Sequence, residues 1–307
     1  MSPPLVSVLI PAYNAASTLL RALESVWIQD YSPLEIIVVN DGSKDNTAEV
    51  AANYADRGVR LIDLQKNLGE CGAMNVGIAQ AKGEFIAFLD ADDEWCAGKL
   101  SKQMALIAHD PNMVFATCGG QFVDPDGKVT RTFMADGPPC EGKDAWRELL
   151  SYSFHGKPCV VARRSTILEV NGFDEKLTIA GDQDMWIRLA ARGTVGFVPE
   201  VLIIVHETAG SLMDRHARRE ADFTLPMIER HIAALRSRLT DDDIRHIRGR
   251  RWTAVGRNMV RRGEFKLGIG YLWRASLLGY QPLTNLYYLL TNLPPVRFLK
   301  KHLLHRA

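Results

Sequence analysis

The chain has 307 residues, 47% of them hydrophobic and 24% charged, with a formal net charge of +1. That composition excludes a disordered or fibrous protein and is enough for one sizeable α/β domain with an appendage. The near-neutral total hides an asymmetry: residues 215–307 carry 19 Lys+Arg against 7 Asp+Glu, and residues 1–214 carry 18 against 29. An acidic body precedes a basic tail.

The first 120 residues alternate between two periodicities. In chain order they predict a strand over 5–10, then a helix over 16–29 with Leu19, Leu23, Val26 and Trp27 on one stripe. A strand over 35–40, a helix over 47–54 behind a Ser43 or Asp45 cap, a strand over 59–63, a helix over 72–80 and a strand over 85–89 follow. Strands alternating with helices predict βαβ units, hence an α/β fold with a mostly parallel sheet and flanking helices. Residues 121–180 are less regular, with turn signals at Asp124-Pro125-Asp126-Gly127 and Gly137-Pro138-Pro139. A helix over 182–192 and strands over 194–198 and 201–205 come next. From about Arg215 the pattern is helical and basic, so the predicted division is a domain over 1–214 and a helical C-terminal region over 215–307.

Five cysteines, Cys71, Cys96, Cys118, Cys140 and Cys159, form no C-x-x-C pair and are odd in number, as expected of free thiols in a reducing compartment. The N-terminus lacks the basic start and long apolar core of a signal peptide, and no 18-residue window is uniformly apolar. The expectation is a cytoplasmic protein.

In a parallel sheet, ligands sit beyond the carboxyl ends of the strands. Those ends read Pro11-Ala12-Tyr13-Asn14, Asn40-Asp41-Gly42-Ser43 and Asp90-Ala91-Asp92-Asp93. All carry side chains suited to a nucleotide. Asp90-Ala91-Asp92 sets two carboxylates two positions apart after the apolar run Phe85-Ile86-Ala87-Phe88-Leu89. Such hard oxygen ligands near a diphosphate suit Mg²⁺ or Mn²⁺. The alternative for this stretch is a cap for a helix starting near Gly98, a role open to Asp93 or Glu94.

These motifs resemble the family 2 glycosyltransferases, inverting enzymes of the GT-A fold with its Rossmann-like sheet. The resemblance covers roughly residues 5–212. It is carried by Val8-Leu9-Ile10-Pro11-Ala12-Tyr13-Asn14, by Ile37 through Thr47, by Asn67-Leu68-Gly69 with Asn75-Val76-Gly77-Ile78, and by Ala81-Lys82-Gly83-Glu84 leading into Asp90-Ala91-Asp92-Asp93. It implies transfer of a sugar from a nucleotide-diphosphate donor, UDP first among them, to a saccharide or lipid-linked hydroxyl acceptor in polysaccharide or glycolipid synthesis. It also implies that Tyr13 lies against the uracil, that Asp41 accepts the base N3–H, and that Pro11, Ala12 and Asn14 line the nucleoside pocket. Asp90 and Ala91 would lie near the ribose, and Asp92 would hold Mn²⁺ or Mg²⁺. A strand-end aromatic covering the sheet edge is the other reading of Tyr13.

Farther on, Gly172-Phe173-Asp174-Glu175 and Gly181-Asp182-Gln183-Asp184-Met185-Trp186 resemble the family's acceptor-side segment. Its first acid is Gly181 here, and the second, the implied catalytic base, is Asp182. A helix cap is the alternative for Asp182, and Asp184 reads as structural. Two more positions depart from the family: Met74 stands where an Arg able to reach phosphate is common, which leaves Lys66 or Lys157 for that charge. Thr208 stands where a metal-binding His precedes a turn like Gly210-Ser211-Leu212, and His206 is the candidate replacement ligand, or a structural strand-end residue.

Arg248, Arg250, Arg251, Arg257, Arg261 and Arg262 make one stretch of the tail strongly cationic. A basic amphipathic helix would hold the protein at the inner face of the membrane. A helical cap on the acidic body, or on a second subunit in a homo-oligomer, is the equal alternative. No nucleic-acid-binding motif is present. Two other functions compete. A nucleotidyltransferase would want a Gly-rich basic loop after the first strand, and a non-catalytic nucleotide-sugar-binding module would tolerate the losses at Gly181, Met74 and Thr208.

Overall fold

An uncharged run of Val, Leu and Ile gives the central strand β1 (Val6–Ala12), in which six of seven residues are buried. Burial on both faces is what a strand between two parallel neighbours, covered by helices, requires. β1 pairs in parallel with β2 (Leu34–Asn40) on one side and β4 (Phe85–Phe88) on the other, and β3 (Val59–Asp63) extends the sheet beyond β2. Helices α1 (Leu19–Trp27), α2 (Thr47–Ala52) and α3 (Gly69–Gln80) make the crossovers. The computed structural model describes residues 2–133, 140–152, 156–207, 218 and 220–292.

The sheet continues through β8 (Val161–Arg163), β6 (Met113–Val123), β9 (Thr194–His206) and β5 (Glu94–Trp95), in the order β3-β2-β1-β4-β8-β6-β9-β5, with β7 (Val129–Thr132) off β6. β6 and β9 are parallel, whereas β8 is antiparallel to both its neighbours and β5 is antiparallel to β9. Helices α4 (Lys99–His109), α5 (Ala145–Ser151), α6 (Arg164–Glu169) and α7 (Gly181–Ala190) complete this part. The two strands expected over 194–198 and 201–205 are one: Cys118 pairs with Val198 and Gly119 with Val201, so Pro199 and Glu200 bulge out of a continuous ladder. All five cysteines are free thiols.

β1 runs two residues past the expected strand, through Pro11. Leu9 O accepts from Leu89 N on the β4 side at 3.0 Å, and Ala12 O accepts from Asp41 N on the β2 side at 2.8 Å. Alternation puts the Pro11 nitrogen on the β4 side, where the β1–β4 ladder has already ended at Leu9–Phe88. The missing N–H therefore costs no ladder bond. The order β3-β2-β1-β4 reverses between β1 and β4, and beyond their ends is the crevice where such sheets bind ligands.

The chain divides into two compact units, Met1–Leu149 with Phe154–Ser211, and Leu150–Ser153 with Leu212–Ala307. The second contains α8 (Leu225–Ala234), α9 (Asp241–Arg261), α10 (Phe265–Leu277) and α11 (Pro282–Asn292). α9 opens on a capping box between Thr240 and Asp243. Its arginines serve this unit. Arg251 is buried and donates to Leu150 O at 2.7 Å, Arg248 pairs with Glu229, and Arg257 contacts Asn285 at 3.3 Å. Arg248, Arg251 and Arg257 are thus engaged within this unit, whereas Arg261 and Arg262 are exposed.

Lys99 is wholly buried at the start of α4, with Nζ 4.1 Å from the Trp95 ring centre and no hydrogen-bond partner among the described residues. Burial lowers its pKa from 10.5 to about 8. The charged form is disfavoured by folding, so Lys99 costs stability below about pH 8, and the cost fades as pH rises toward 10.5, where the unfolded chain also deprotonates. Lys99→Met should therefore be more stable than the parent at neutral pH by about 1–3 kcal/mol. In urea unfolding the advantage should shrink in alkaline buffer; a gap that ignores pH would contradict this account.

Candidate active site

Just past the end of β1, Tyr13 is 47% exposed. Asn14 follows with φ 51°, the left-handed region that Asn tolerates better than most residues. Its N–H donates to Ser43 Oγ at 2.9 Å and its Oδ1 accepts from Lys44 N at 2.8 Å. Thr47 Oγ1 accepts from Ala15 N, and the Asp45 carboxylate accepts from Ala16 N and Thr47 N. Side chains after β2 thus fix the loop after β1, and Tyr13 is displayed on a braced backbone. Neither of the expected residues caps α2, whose N-cap is Asn46 without a side-chain bond; Asp45 accepts from Thr47 N, and Ser43 serves Asn14.

Asp41 is 3% exposed. One carboxylate oxygen accepts from Leu68 N at 2.6 Å, and its carbonyl accepts from Asn67 Nδ2 at 3.1 Å. Gly42, at φ 66°, permits this approach, because a β-carbon there would lie 2.8 Å from Asn67 N and from the Lys66 carbonyl carbon. The end of β2 is thereby tied to the segment that opens α3.

Past β4 come half-buried Asp90, buried Ala91, half-buried Asp92 and buried Asp93. Lys157, from a 3-10 turn (Lys157–Cys159) just before β8, reaches Asp90 Oδ1 at 3.2 Å and also pairs with Glu70 in the first turn of α3. Its side chain is only 11% exposed. Burial alone would drive its proton off, but Asp90, Glu70 and Asp182 together hold its pKa well above the usual lysine value. Burial pushes Asp90 up to about 6, against the pull of Lys157 and with the help of Glu70 and Asp92. Burial likewise raises Asp182, while Lys157 and the Gln183 N–H oppose it. Glu70 is lowered by Lys157.

Neither Asp93 nor Glu94 caps α4, whose N-cap is Gly98 with no side-chain cap bond. They grip the end of β9 instead: Asp93 Oδ1 accepts from His206 N at 3.2 Å, and Glu94 meets His206 Nε2 at 2.5 Å. Burial, reinforced by Asp90 and Asp92, raises Asp93 well above its ordinary range. Arg21 of α1 donates to Asp92 O at 2.7 Å and pairs with Glu94. His206 is thus drawn to the acidic loop, with one ring nitrogen engaged. Among the described residues no three His, Cys, Asp or Glu side chains form a ready metal cage. Asp90 and Asp92 do offer the hard oxygens that suit a Mg²⁺ or Mn²⁺ completing its shell with waters and phosphate.

Asp182, which also acts electrostatically on Lys157, lies in the first turn of α7 behind Ala180 at φ 57°, and its Oδ1 accepts from Gln183 N at 2.7 Å. A carboxylate in a first helical turn is ordinarily lowered by the helix dipole, yet burial leaves Asp182 raised. Asp184 is structural: it pairs with Arg188 at 2.6 Å, and Arg188 donates to Val170 O and Gly172 O. A β-carbon at Gly181 would lie 2.5 Å from Cys71 Sγ, so an acid there would collide with this cysteine. Met74 is buried at 1% exposure, whereas Lys66 is exposed. Thr208, Gly210-Ser211-Leu212 and Gly137-Pro138-Pro139 lie outside the described residues.

The structure thus groups Pro11, Ala12, Tyr13, Asn14 and Asp41 at the adjoining ends of β1 and β2, Asp90, Ala91, Asp92 and His206 beyond β4, and Asp182 through Lys157. The sequence reading missed Glu70 and Arg21, and it missed the pairing of Cys71 with Gly181. A lone glutamate in a first helical turn ordinarily signals only the dipole, and none of these contacts is local.

A model described as glycosyl transferase family 2 matches residues 7–170, over half of the chain. An uncharacterized glycosyltransferase of Rickettsia prowazekii is 34% identical over 205 residues, 65% of this chain and 63% of that protein, so the match spans just under two thirds of the relative's length. The UDP-Glc:alpha-D-GlcNAc-diphosphoundecaprenol beta-1,3-glucosyltransferase WfgD of Escherichia coli is 26% identical over 240 residues, 76% of this chain and 91% of its own. Among solved structures, S. aureus TarS in complex with UDP-GlcNAc superposes with a TM-score of 0.64 at 20% identity, covering 89% of this chain and 81% of TarS. The mannosyltransferase PcManGT from Pyrobaculum calidifontis, in complex with GDP-Man and Mn²⁺, gives 0.62 at 20% identity, covering 98% and 84%. These likenesses establish the GT-A fold. With the family match lying across β1, β2, β4 and their polar ends, the chain belongs to glycosyl transferase family 2.

Proposed function

We propose that the protein is an inverting glycosyltransferase that moves a sugar from a UDP-linked donor to a hydroxyl of a lipid-linked saccharide. The observation that carries this reading is Lys157, a buried ammonium held among Glu70, Asp90 and Asp182 where the strands end. Such a cation is what a leaving diphosphate requires. Family membership supports the reaction class. The UDP-Glc donor and diphosphoundecaprenol acceptor named for WfgD, and the UDP-GlcNAc bound by TarS, support donor and acceptor.

In this reading Tyr13 stacks on the uracil, a contact worth roughly 1–3 kcal/mol. Asp41, fixed through one oxygen by Leu68, accepts the base N3–H with the other, and Pro11, Ala12 and Asn14 line the nucleoside pocket. Asp90 and Ala91 lie at the ribose. Asp92 would hold Mn²⁺ or Mg²⁺, with the ring nitrogen of His206 that Glu94 leaves over. A bound divalent ion supplies Lewis-acid neutralisation of the diphosphate. Lys157 takes the phosphate-binding part that Met74, in the core, does not. Asp182 removes the acceptor hydroxyl proton as that oxygen attacks the anomeric carbon. The bond from that carbon to the diphosphate oxygen breaks, and the electron pair leaves with UDP.

Asp182→Asn should cut kcat by about 10²–10⁴-fold and leave UDP affinity intact. Asp92→Ala should weaken Mn²⁺-dependent UDP binding by about 10–100-fold. Calorimetry alongside a UDP-release assay reads both, and full turnover in the Asp182 variant would remove it as the base.

Lys157→Met takes away the charge that lowers both Asp90 and Asp182. Carboxylates must be ionised for transfer, so activity falls as pH drops through their pKa values, Asp90 at about 6. The acid limb of kcat/KM should move up by about one pH unit in the variant, with a donor KM higher by about tenfold or more. Lys157→Arg should restore part of both. An unmoved acid limb would leave Lys157 a structural role only.

A further inference from the structure

The hairpin of α10 and α11 turns an apolar face away from the helix it packs on. α10 meets α9 through Gly268 and Leu272, close enough that a β-carbon at Gly256 would lie 2.9 Å from Gly268 O. α11 meets α9 through Asn285, which donates to Thr253 Oγ1, and Tyr288, which donates to Arg257 O. Half a turn away from these contacts, Trp273 and Leu277 on α10 are 63% and 70% exposed. On α11, Leu283, Leu286, Tyr287 and Leu290 recur at i, i+3, i+4 and i+7 with 81%, 53%, 68% and 57% exposure. With Leu267 and Ile269, these make eight large apolar side chains in water on two consecutive helices, more than the scattered exposure of an ordinary surface.

Charge identifies what covers them. Residues 265–292 include Lys266 and Arg274, both exposed, and no Asp or Glu. The sequence beyond adds Arg297, Lys300, Lys301 and Arg306, again without an acid. A second copy applied through the same face would set cations against cations, whereas an anionic bilayer attracts them and accepts the apolar side chains. The helices lie on such a surface instead of crossing it. With 13 and 11 residues they reach about 20 and 16 Å at 1.5 Å per residue, against a hydrocarbon thickness of about 30 Å. No helix among the described residues is long and apolar enough to span.

We propose that the outer face of the α10–α11 hairpin docks on an anionic lipid bilayer, with Trp273, Leu277, Leu283, Leu286, Tyr287 and Leu290 entering the headgroup region and Lys266 and Arg274 contacting lipid phosphate. Docking needs neither donor nor turnover, so it stands or falls separately from the sugar-transfer reading. The full chain is sedimented with vesicles of phosphatidylcholine alone and with added phosphatidylglycerol, at low and high salt. Binding should require phosphatidylglycerol and weaken with salt. Leu283→Ser combined with Tyr287→Ser should lower partition by about 10–100-fold. Lys266→Glu with Arg274→Glu should lower it by about tenfold or more, only on anionic vesicles. All four side chains are exposed, and an unchanged thermal melt confirms that the variants fold. Absence of vesicle binding, binding that these variants leave intact, or concentration-dependent self-association abolished by Leu283→Ser with Tyr287→Ser without lipid binding would overturn the proposal.

Discussion

An ammonium as enclosed as that of Lys157 survives in the charged state because Glu70, Asp90 and Asp182 act on it, and its charge in turn pulls the pKa of each of those carboxylates down. Removing an ion from water costs several kcal/mol, which its partners must offset. Asp90 comes from the end of β4, Glu70 from α3, Asp182 from α7 and the lysine from the turn before β8. Four elements distant in sequence therefore share one electrostatic balance. The β4–β8 ladder creates it. Ala87 pairs with Val161 and Phe88 N donates to Val160 O, so the antiparallel register carries the residues just before Val160 across the end of β4, where Asp90 waits.

That same end of β4 decides where the sheet opens. Because the β1–β4 ladder stops at Leu9–Phe88, a proline can occupy β1 two residues later, and the strand can continue alongside β2 to Ala12. Tyr13 and Asn14 then emerge beside the loops of β2, whose side chains hold them. The reversal of strand order and the break in hydrogen bonding coincide at one place. This gives the subsites proposed for base, ribose and diphosphate adjacent positions along one edge.

Much of this was legible in the sequence where the signal was local. The β-branched runs of β1, β2, β3 and β4 announce themselves, and the polar residues directly after them are where a parallel sheet binds. β6 was missed because Thr117, Cys118, Gly119 and Gly120 interrupt its apolar run, and its strandness comes from pairing with β8 and β9. β9 was split in two by Pro199 and Glu200, which bulge where the ladder slips. The grip of Asp93 and Glu94 on His206, over a separation of more than 100 residues, was beyond any periodicity. The partners of Arg248 and Arg251 on α9 were hidden for the same reason, since Glu229 and Leu150 are not their neighbours along the chain.

The departures from the family pattern become intelligible once side-chain space is considered along with charge. An acid at position 181 would need the volume that Cys71 Sγ fills, and Met74 is buried in the core, so a charge at either position would require its neighbours to shift. Burial and Glu70 push the Cys71 thiol up to about 12, so it is a neutral space-filler beside charged neighbours. With glycine at 181 no second carboxylate adds negative charge beside Asp182, and in the proposed reading the cation comes from Lys157, in the turn before β8, instead of from position 74. With one fewer acid beside it, Asp182 is raised by burial rather than by a neighbouring carboxylate at 181, and the cation that tempers it also contacts Asp90 at the proposed donor site. Changes in charge at the donor end therefore reach the proposed base through a single side chain.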